Sequence, residues 1–388
     1  MFVLLRRPDS LGIYIHFPYC LQKCHYCDFY SVPLDGEAPI RAFLTGIEQE
    51  WQARFPDFER FSAVDSVFFG GGTSSLLPAW ALRQMLDLFQ ERFSFSPDCE
   101  ITLEGNPENL TEQYLEELAQ TGITRINAGI QTFSERHLRT MNRFFDAARY
   151  SDMLDILCRS PFRSRGVDLI YGFPGQTFDE FMTDLHRVAT VGLEHLSVYS
   201  LTEEAGTGYA TRVRDGSMPS PDEALQERVF ETLPSVMSDY GYTLYEISNY
   251  AKPGFECRHN LRYWLYEPYM GLGPGAHGFD GRFRYGNVRN IDRWSARPAA
   301  ATKTEHEVEI DLPLNLFRLT IPFRPSWMKR ILKENGSRRA DDVQAFFEEE
   351  ARLGHGFFVD ADLFQWSEVG RLQLDGIIER WVLNQKAK

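Results

Sequence analysis

Three cysteines lie close together in the stretch I-Y-I-H-F-P-Y-C-L-Q-K-C-H-Y-C-D-F-Y, where Cys20, Cys24 and Cys27 form a C-x-x-x-C-x-x-C pattern. Three thiolates on one short loop can bind three irons of a 4Fe–4S cluster, which normally takes four cysteines. The fourth iron would then keep an open coordination position, and such a position usually receives an exchangeable ligand. The pattern therefore predicts a cluster that binds a second molecule.

Other uses of cysteine fit this sequence less well. A four-cysteine zinc site usually combines two C-x-x-C pairs, whereas Cys99, Cys158 and Cys257 each stand alone. Disulfide frameworks are dense in cysteine, and this chain has 6 cysteines in 388 residues. An iron–sulfur site is therefore the interpretation that we prefer.

The cysteine spacing, with Tyr26 directly before the last cysteine, resembles that of the radical S-adenosylmethionine (SAM) family. The resemblance implies a 4Fe–4S cluster whose open iron chelates the amino and carboxyl groups of SAM. It also implies that an electron from the cluster cleaves SAM to a 5′-deoxyadenosyl radical. In such proteins the cofactor carries the difficult chemistry, and the protein orients and shields it.

Strand-like apolar runs alternate with helix-period segments from the start of the chain to about residue 250. Repeated strand–helix units imply parallel strands with right-handed crossovers. Six units predict an α/β fold, a partial (β/α)6 barrel, and the resemblance implies the same architecture. The predicted strands are Gly12–His16, Val64–Phe69, Glu100–Glu104, Thr124–Ile130, Gly166–Tyr171 and His195–Ser200, with helices over Arg41–Phe55 and Ala79–Arg92 and helix caps at Thr111, Ser134 and Thr177.

The character of the sequence changes near residue 298. Residues 302–308 are polar and charged, as in a linker, and residues 312–382 have the pattern of a compact, mostly helical module. We therefore expect a radical SAM barrel with an extension over residues 1–300. A smaller, mostly helical C-terminal domain is expected over residues 301–388.

Polar residues follow the predicted strands, at the rim where barrels of this kind build their sites. Glycine permits close approach of the backbone to a ligand, carboxylates accept from ribose hydroxyls, and Gln and Arg donate to carboxylate or base edges. Nearly the whole chain resembles the subgroup that contains the coproporphyrinogen dehydrogenase HemN and the haem chaperone HemW. The resemblance implies SAM contacts from Tyr14, Tyr26, Gly71, Gly72, Thr73, Glu104, Gln131, Arg143 and Asp168; it departs at Phe145, where relatives commonly carry a histidine.

A second block, H-N-L-R-Y-W, spans residues 259–264. An imidazole can ligate haem iron, Tyr and Trp can cover a porphyrin face, and Arg262 could pair with a propionate. The pattern H-N-x-x-Y-W resembles the one that marks the haem chaperones of the subgroup. That resemblance implies bound haem with His259 as its ligand.

Three further residues are weighed as parts of these sites. His277, in G-P-G-A-H-G, is the second candidate for haem ligand. Cys257 could approach the iron as a thiolate, although a small buried apolar role is commoner for a free cysteine. His16, beside the cysteine loop, is expected to support that loop through hydrogen bonds.

The expected function is that of a haem chaperone, which binds haem, a 4Fe–4S cluster and SAM and delivers haem to acceptor proteins such as respiratory haemoproteins. The alternatives are an oxygen-independent coproporphyrinogen III dehydrogenase and another radical SAM enzyme acting on a tetrapyrrole, so no catalytic residue is assigned. Two features favour the chaperone. Asp28-Phe29 follows Cys27 where the oxidase pattern continues to another cysteine, and only a short segment precedes the first strand, where the oxidase carries a long arm.

The overall composition and charge limit the kinds of partner and the compartment that we expect. A formal net charge of −14 repels phosphate backbones, so we expect no nucleic-acid partner. The sequence contains no run of eighteen apolar residues, and the charges of M-F-V-L-L-R-R-P-D follow its short apolar stretch, the reverse of a secretory signal. We expect a cytoplasmic protein, where thiolates stay reduced; peripheral membrane association and a homodimer stay open.

Overall fold

The computed structural model describes residues 9–144, 146–299, 302–305 and 307–383. Phe145, the position at which the family resemblance departs, lies outside these residues. The strands within them are β1 (Ser10–Phe17), β2 (Tyr19–Cys20), β3 (Val32–Pro33), β4 (Ala63–Gly71), β5 (Ser94–Gly105), β6 (Arg125–Gln131), β7 (Ser164–Tyr171), β8 (His195–Ser200), β9 (Thr243–Glu246), β10 (Asn249–Ala251), β11 (Tyr269–Leu272), β12 (His277–Phe279), β13 (Phe283–Gly286), β14 (Thr302–Glu305), β15 (Gly356–Asp360) and β16 (Leu363–Trp366).

Helices cover most of the connections and most of the C-terminal segment. They are α1 (Ala38–Phe58), α2 (Ala79–Gln90), α3 (Glu112–Ala119), α4 (Glu135–Thr140), α5 (Ala147–Arg159), α6 (Phe178–Val191), α7 (Gly208–Arg214), α8 (Glu223–Asp239), α9 (Arg258–Trp264), α10 (Ile291–Ala296), α11 (Val308–Leu316), α12 (Pro325–Glu334), α13 (Val343–Arg352), α14 (Glu368–Leu372) and α15 (Leu374–Leu383). Across the described ranges, every helix is too short or too polar to cross a bilayer.

The six predicted strands are confirmed as the parallel centre of a large sheet. Strands β1, β4, β5, β6, β7 and β8 are hydrogen-bonded in that order, and all of them run parallel. Because all six strands run parallel, their carboxyl ends lie at one rim of the sheet. At least one helix follows each strand after β1. Of the residues predicted to bind SAM, Gly71, Glu104 and Gln131 lie at these carboxyl ends, the expected place for a barrel site. Tyr14 and Asp168 lie three residues before the ends of β1 and β7.

The sheet extends beyond the predicted six strands at both sides. Strand β11 adds to β1 as a further parallel strand, followed by the antiparallel strands β12, β13 and β14. On the other side, β10 and β9 add to β8 in antiparallel orientation. These additions bring residues 269–286, including His277, next to the strand that leads into the cysteine loop.

The structure differs from the sequence-based expectation at the linker and at one of the three predicted helix caps. The expected linker at residues 302–308 is wrong in part, because Thr302–Glu305 forms the edge strand β14, which needs only backbone hydrogen bonds to β13. Thr177 and Glu180 form the predicted capping box, and the Thr111 hydroxyl caps α3. Ser134 precedes α4 as predicted, but its side chain makes no capping hydrogen bond.

The C-terminal segment is mostly helical, as expected, and also contains the antiparallel hairpin β15–β16. An apolar cluster joins its large side chains, including Phe317, Phe347 and Trp381, to Phe68 and Tyr269 of the sheet. This packing places the segment against the side of the sheet that carries α9. The division into two domains at residue 300 stays a prediction.

Candidate functional site

The cysteine loop runs from the end of β2 to β3. Cys20 ends β2, and the N–H of Cys27 donates to the carbonyl of Cys24 in a turn. The loop is tied to distant segments, because the His25 N–H donates to the Met141 carbonyl over 2.9 Å and the His25 carbonyl accepts from the Tyr209 N–H over 2.7 Å. All three cysteines are half-buried and free of disulfides.

Donor groups from other elements surround the cysteine sulfurs. The Thr73 hydroxyl lies 3.4 Å from Cys20 Sγ, and Arg143 Nη1 lies 3.6 Å from Cys24 Sγ. Burial is the main cause that raises the pKa of the Cys20 thiol, and it raises the pKa of Cys27 to about 11. Thiolates here therefore need a positive partner, and bound iron would supply that charge.

The three cysteines fit a cluster better than a single metal ion. Within the described residues, no three His, Cys, Asp or Glu side chains converge so as to hold one ion. A 4Fe–4S cluster makes a different demand, since each cysteine binds a separate iron. Three half-buried sulfurs on one anchored loop, two of them next to donor groups, meet that demand.

The glycine run at the end of β4 lies beside the backbone segment that leads into Cys20. Gly72 N–H donates to the Phe17 carbonyl and Thr73 N–H to the Tyr19 carbonyl. A Cβ at residue 72 would lie 2.6 Å from the Tyr19 carbonyl oxygen, and Gly71 has a φ of +106°. Only glycine allows this approach, which brings Thr73 to the cysteine loop.

Arg143 connects the cysteine loop with the ends of β5 and β6. Besides Cys24, its guanidinium donates to Asn106 Oδ1 over 3.0 Å, to the Tyr26 hydroxyl over 3.4 Å and to the Gly129 carbonyl. Gln131 lies beside it: its φ is +68°, and its buried Oε1 has no hydrogen-bond partner in the described chain. Three predicted SAM residues, Tyr26, Gln131 and Arg143, thus share one cluster.

Glu104 and Asp168 form the acidic part of the rim. A Cβ at Gly70 would lie 2.9 Å from Glu104 Oε2 and 3.2 Å from the Tyr14 ring, so Tyr14 and Glu104 are neighbours. Loss of water, reinforced by the charge of Asp168, raises the pKa of Glu104 to about 8. The same loss of water raises the pKa of Asp168 to about 6, and its buried Oδ1 is without a partner among the described residues.

Asn106 is a site residue that the sequence interpretation missed. Its side chain accepts from Arg143 and donates to Glu108 Oε1 over 3.0 Å, and it lies 3.5 Å from the Thr73 hydroxyl. A cavity of about 170 Å³ opens between these side chains and Cys24. The available signal was its position directly after the strand that ends in Glu104-Gly105.

His259 lies on the short helix α9 and is completely buried. Its Nδ1 is 2.9 Å from the Ser66 hydroxyl, whereas its Nε2 has no partner in the described part of the chain. Its ring lies between those of Phe68 and Tyr263, each with a centroid separation of 5.2 Å. The predicted haem ligand is therefore enclosed by aromatic side chains.

The structure contradicts the suggested propionate contact of Arg262 and agrees with the commoner, structural role expected of Cys257. Arg262 cannot meet a propionate in this structure, because it is buried and paired with Asp65. It also donates to the Pro268 carbonyl over 2.9 Å. Cys257 lies in the apolar core, with Sγ 3.3 Å from Glu100 Oε1, and burial raises its pKa far above the usual range. This agrees with a structural role for Cys257.

A cavity of about 440 Å³ lies between the cysteine loop and α9. Tyr263 and Trp264 of the H-N-L-R-Y-W block form part of its wall, and His277 faces it from β12. His16 also lines it but is engaged as predicted, with Nε2 2.8 Å from the Tyr30 carbonyl oxygen. Loss of water around the ring and two nearby guanidinium groups lower the pKa of His277, which favours the neutral imidazole, although the side chain stays open to solvent at the cavity wall.

Comparison with known proteins places these features in context. Residues 14–188 match the model of the Radical SAM superfamily. The chain is 35% identical to the heme chaperone HemW of Mycobacterium tuberculosis (strain CDC 1551 / Oshkosh) over 76% of each chain. It is 31% identical to that of Haemophilus influenzae over 97% of this chain and 98% of the relative.

A solved structure of coproporphyrinogen III oxidase (HemN) from Escherichia coli, a radical SAM enzyme, shares the fold. It superposes with a TM-score of 0.77 over 97% of this chain and 91% of its own length, at 22% sequence identity. This similarity confirms the partial barrel with its helical C-terminal segment. At that identity it carries information on the fold and none on the substrate.

Proposed function

Because the chain belongs to the haem chaperone HemW family of the radical SAM superfamily, we propose that it binds haem and passes it to acceptor proteins. The proposal includes one 4Fe–4S cluster and SAM as bound cofactors. The observation that carries it is the cavity between the cysteine loop and α9, whose wall contains Tyr263 and Trp264 of the H-N-L-R-Y-W block.

In this proposal Cys20, Cys24 and Cys27 hold the cluster, and the rim residues hold SAM. A cluster with three cysteine ligands leaves one iron for SAM and can supply the electron that cleaves it. Arg143 would donate to the carboxyl group of SAM while it keeps the cysteine loop in place. Glu104 and Asp168 would accept from hydroxyl groups of the nucleoside, and Tyr26 would lie beside it.

For haem, His259 is the ligand that the sequence predicts. Its unpartnered Nε2 suits a ligand atom, since a buried ring nitrogen without a partner is costly. The rings of Tyr14, Phe68 and Tyr263 enclose it, so ligation there would need these side chains to move. Tyr263 and Trp264 would cover a face of the porphyrin.

The partners in this proposal are haem and haem-accepting proteins, in the cytoplasm. Delivery to respiratory haemoproteins would bring the protein to a membrane surface, so peripheral association belongs to the proposal, as does a homodimer. Flotation with anionic lipid vesicles and sedimentation of the purified protein test these two points separately from haem binding.

The direct test is an anaerobic assay of the reconstituted protein that follows haem binding and SAM cleavage together. We expect a haem Soret band at a stoichiometry of one, and transfer of haem to an added apo-haemoprotein. Failure to shift the Soret band would refute the proposal. Turnover of coproporphyrinogen III to protoporphyrinogen would instead establish the dehydrogenase, and an altered porphyrin product with 5′-deoxyadenosine would indicate another tetrapyrrole reaction.

A further inference from the structure

We propose that haem first binds in the 440 Å³ cavity with the imidazole of His277 on the iron, before any rearrangement that would bring His259 to it. The inference rests on the proposed function, because it names the site and ligand for the haem that the protein is proposed to carry. It assigns a role to a histidine outside the H-N-L-R-Y-W block.

His277 is the available imidazole of this cavity. The other histidine in its wall, His16, uses both ring nitrogens, with Nδ1 3.3 Å from the Tyr14 hydroxyl and Nε2 2.8 Å from the Tyr30 carbonyl oxygen. His277 is exposed, and its ring makes no hydrogen bond within the described residues. An exposed neutral imidazole can coordinate iron without breaking an existing contact.

The backbone opposite His277 is shaped around its ring. His277 pairs with Gly286 in the β12–β13 ladder, and a Cβ at residue 286 would lie 3.0 Å from His277 Cε1 and 3.1 Å from Nδ1. Any other residue there would push the imidazole away from its present position. Gly286 therefore leaves space for the ring in its present position at the cavity wall.

The remaining walls suit a flat, apolar macrocycle. Tyr263 and Tyr269 pack edge to face with ring centroids 4.7 Å apart, and Tyr266 packs on Phe279 at 4.8 Å. Porphyrin faces are bound by aromatic surfaces of this kind. The volume also falls within the range of about 300–1,000 Å³ that is usual for small-molecule sites.

Two guanidinium groups, those of Arg284 and Arg289, line the same cavity and can pair with the two propionates. Arg289 is exposed and bonded to Asp28, an ion pair with half of each side chain in solvent, so a propionate can compete for it at small cost. Arg284 Nε lies 3.4 Å from Asp311 Oδ2, and a guanidinium has further N–H donors. The wall also contains the carboxylate of Glu267, and its charge is paired with the guanidinium of Arg262, 3.6 Å away.

His259 offers a different geometry. It is 0% exposed, and Phe68 and Tyr263 cover its ring. Iron can reach its Nε2 only after these side chains move, whereas His277 meets a ligand in the conformation described. If His277 is the ligand, haem binds to the conformation described. If His259 is the ligand, Phe68 and Tyr263 must move in the haem-bound protein.

The test is a haem titration of the full chain with His277→Ala, His277→Cys, His259→Ala and, as a control, His186→Ala on the surface of α6. We expect His277→Ala to bind haem at least about tenfold more weakly and to lose the histidine-type Soret and electron paramagnetic resonance signals. His277→Cys should give a thiolate-type spectrum, and His186→Ala should match the parent. Equal thermal midpoints will show that the variants are folded.

The variants distinguish failure of the proposed function from failure of the His277 assignment. If the parent protein binds no haem, the proposed function falls and this inference falls with it. If the parent binds haem and His277→Ala keeps both its spectrum and its affinity, His277 is not the ligand, and loss of the signal in His259→Ala would then assign the buried histidine. A thiolate spectrum in His277→Cys supports the assignment whatever His259→Ala does.

A second comparison tests the propionate contacts. Arg289→Glu should weaken haem binding by about tenfold, because it replaces a charge-assisted hydrogen bond with repulsion. Arg293→Glu makes the same charge change on the exposed face of α10 and should leave the affinity unchanged. Equal weakening by both variants would show only an effect of net charge and would remove Arg289 from the site.

Discussion

The Nη1 atom of Arg143 lies 3.6 Å from Cys24 Sγ, although 119 residues separate the two positions. The same guanidinium reaches the ends of β5 and β6 through Asn106 and the Gly129 carbonyl. The cysteine loop and the rim of the sheet are therefore held together by one side chain. A ligand that bridges a cluster and the rim would meet Arg143 at the junction.

Arg143→Lys is expected to weaken SAM binding while the cluster is retained. Lysine keeps the charge but loses the planar set of donors that contacts several acceptors at once. Hydrogen bonds to charged groups contribute about 1.5–3 kcal/mol, so we expect SAM to bind at least about tenfold more weakly. Equilibrium dialysis of labelled SAM against reconstituted protein, with iron content measured in parallel, checks this.

The matched control for that substitution is Arg136→Lys, since Arg136 is exposed and pairs with Glu180 on the surface. It should bind SAM as tightly as the parent protein. Unchanged SAM affinity in Arg143→Lys would show that the guanidinium has only a structural role in the loop.

Replacement of Cys20, Cys24 or Cys27 by Ser should abolish the cluster, because each is predicted to hold a separate iron. Iron and sulfide content and the broad visible absorption of the reconstituted protein measure this. Cys99→Ser and Cys158→Ser provide controls in half-buried cysteines outside the loop. Loss of iron in either control, equal to that in the loop variants, would argue against the assigned ligand set.

The central strands of the fold were predictable because their signals are local. Each of the six parallel strands is an apolar run, and β5 and β7 lead into helices that the side chains of Thr111 and Thr177 cap. Strand β11, the four residues Tyr269–Leu272, was missed because so short a run, followed by glycines, has no distinct period. Strand β14 lies in a stretch whose polar sequence predicts a linker, and the structure pairs its backbone with β13.

The convergence of the residues predicted to bind SAM has a different physical basis from the position of His259, the predicted haem ligand. Parallel strands share one rim, so polar residues near strand ends converge whatever their distance in sequence. The neighbours Tyr14 and Glu104, in the second halves of β1 and β5, illustrate this. The orientation of a short helix follows from tertiary packing instead. The burial of His259 depends on Ser66 and Phe68 of β4, about 190 residues away, and no local pattern encodes that contact.

The buried carboxyl of Glu104 should make the stability of the cofactor-free protein depend on pH. Its pKa is raised from 4.5 to about 8 in the folded state, so the folded protein holds a proton that the unfolded chain has released. The free energy of unfolding therefore falls as the pH rises from about 4.5 to 8. Asp168 contributes in the same direction, but only up to its pKa of about 6.

Glu104→Gln removes this dependence, since the amide cannot ionise. Relative to the parent, the variant's thermal midpoint should rise between pH 6.5 and 8, by about 2 °C or more. The interval lies above the pKa of Asp168, and Glu246, whose pKa burial raises to about 7, is present in both proteins, so the difference between them reports on Glu104. Scanning calorimetry of the cluster-free proteins in matched buffers measures the difference, and a constant difference across the interval would contradict the raised pKa.

The buried ion pair between Arg262 and Asp65 should be a stability element that leaves haem ligation alone. Asp65 also accepts from the Ser10 hydroxyl over 2.9 Å, and Arg262 donates to the Ser10 carbonyl over 3.1 Å. Removal of one partner from a buried pair costs about 3–5 kcal/mol because it leaves an uncompensated charge. Arg262→Met should therefore lower the unfolding midpoint in urea strongly.

The double variant Arg262→Met/Asp65→Asn should recover part of that loss, because the unpaired carboxylate is gone. At temperatures where they remain folded, both variants should bind haem with the affinity and Soret maximum of the parent protein. If Arg262 paired with a propionate instead, Arg262→Met would weaken haem binding at unchanged protein stability. Urea unfolding and haem titration of the same preparations distinguish these two roles of Arg262. Loss of a partner of Asp65 lowers the unfolding midpoint, whereas loss of a propionate partner weakens haem binding.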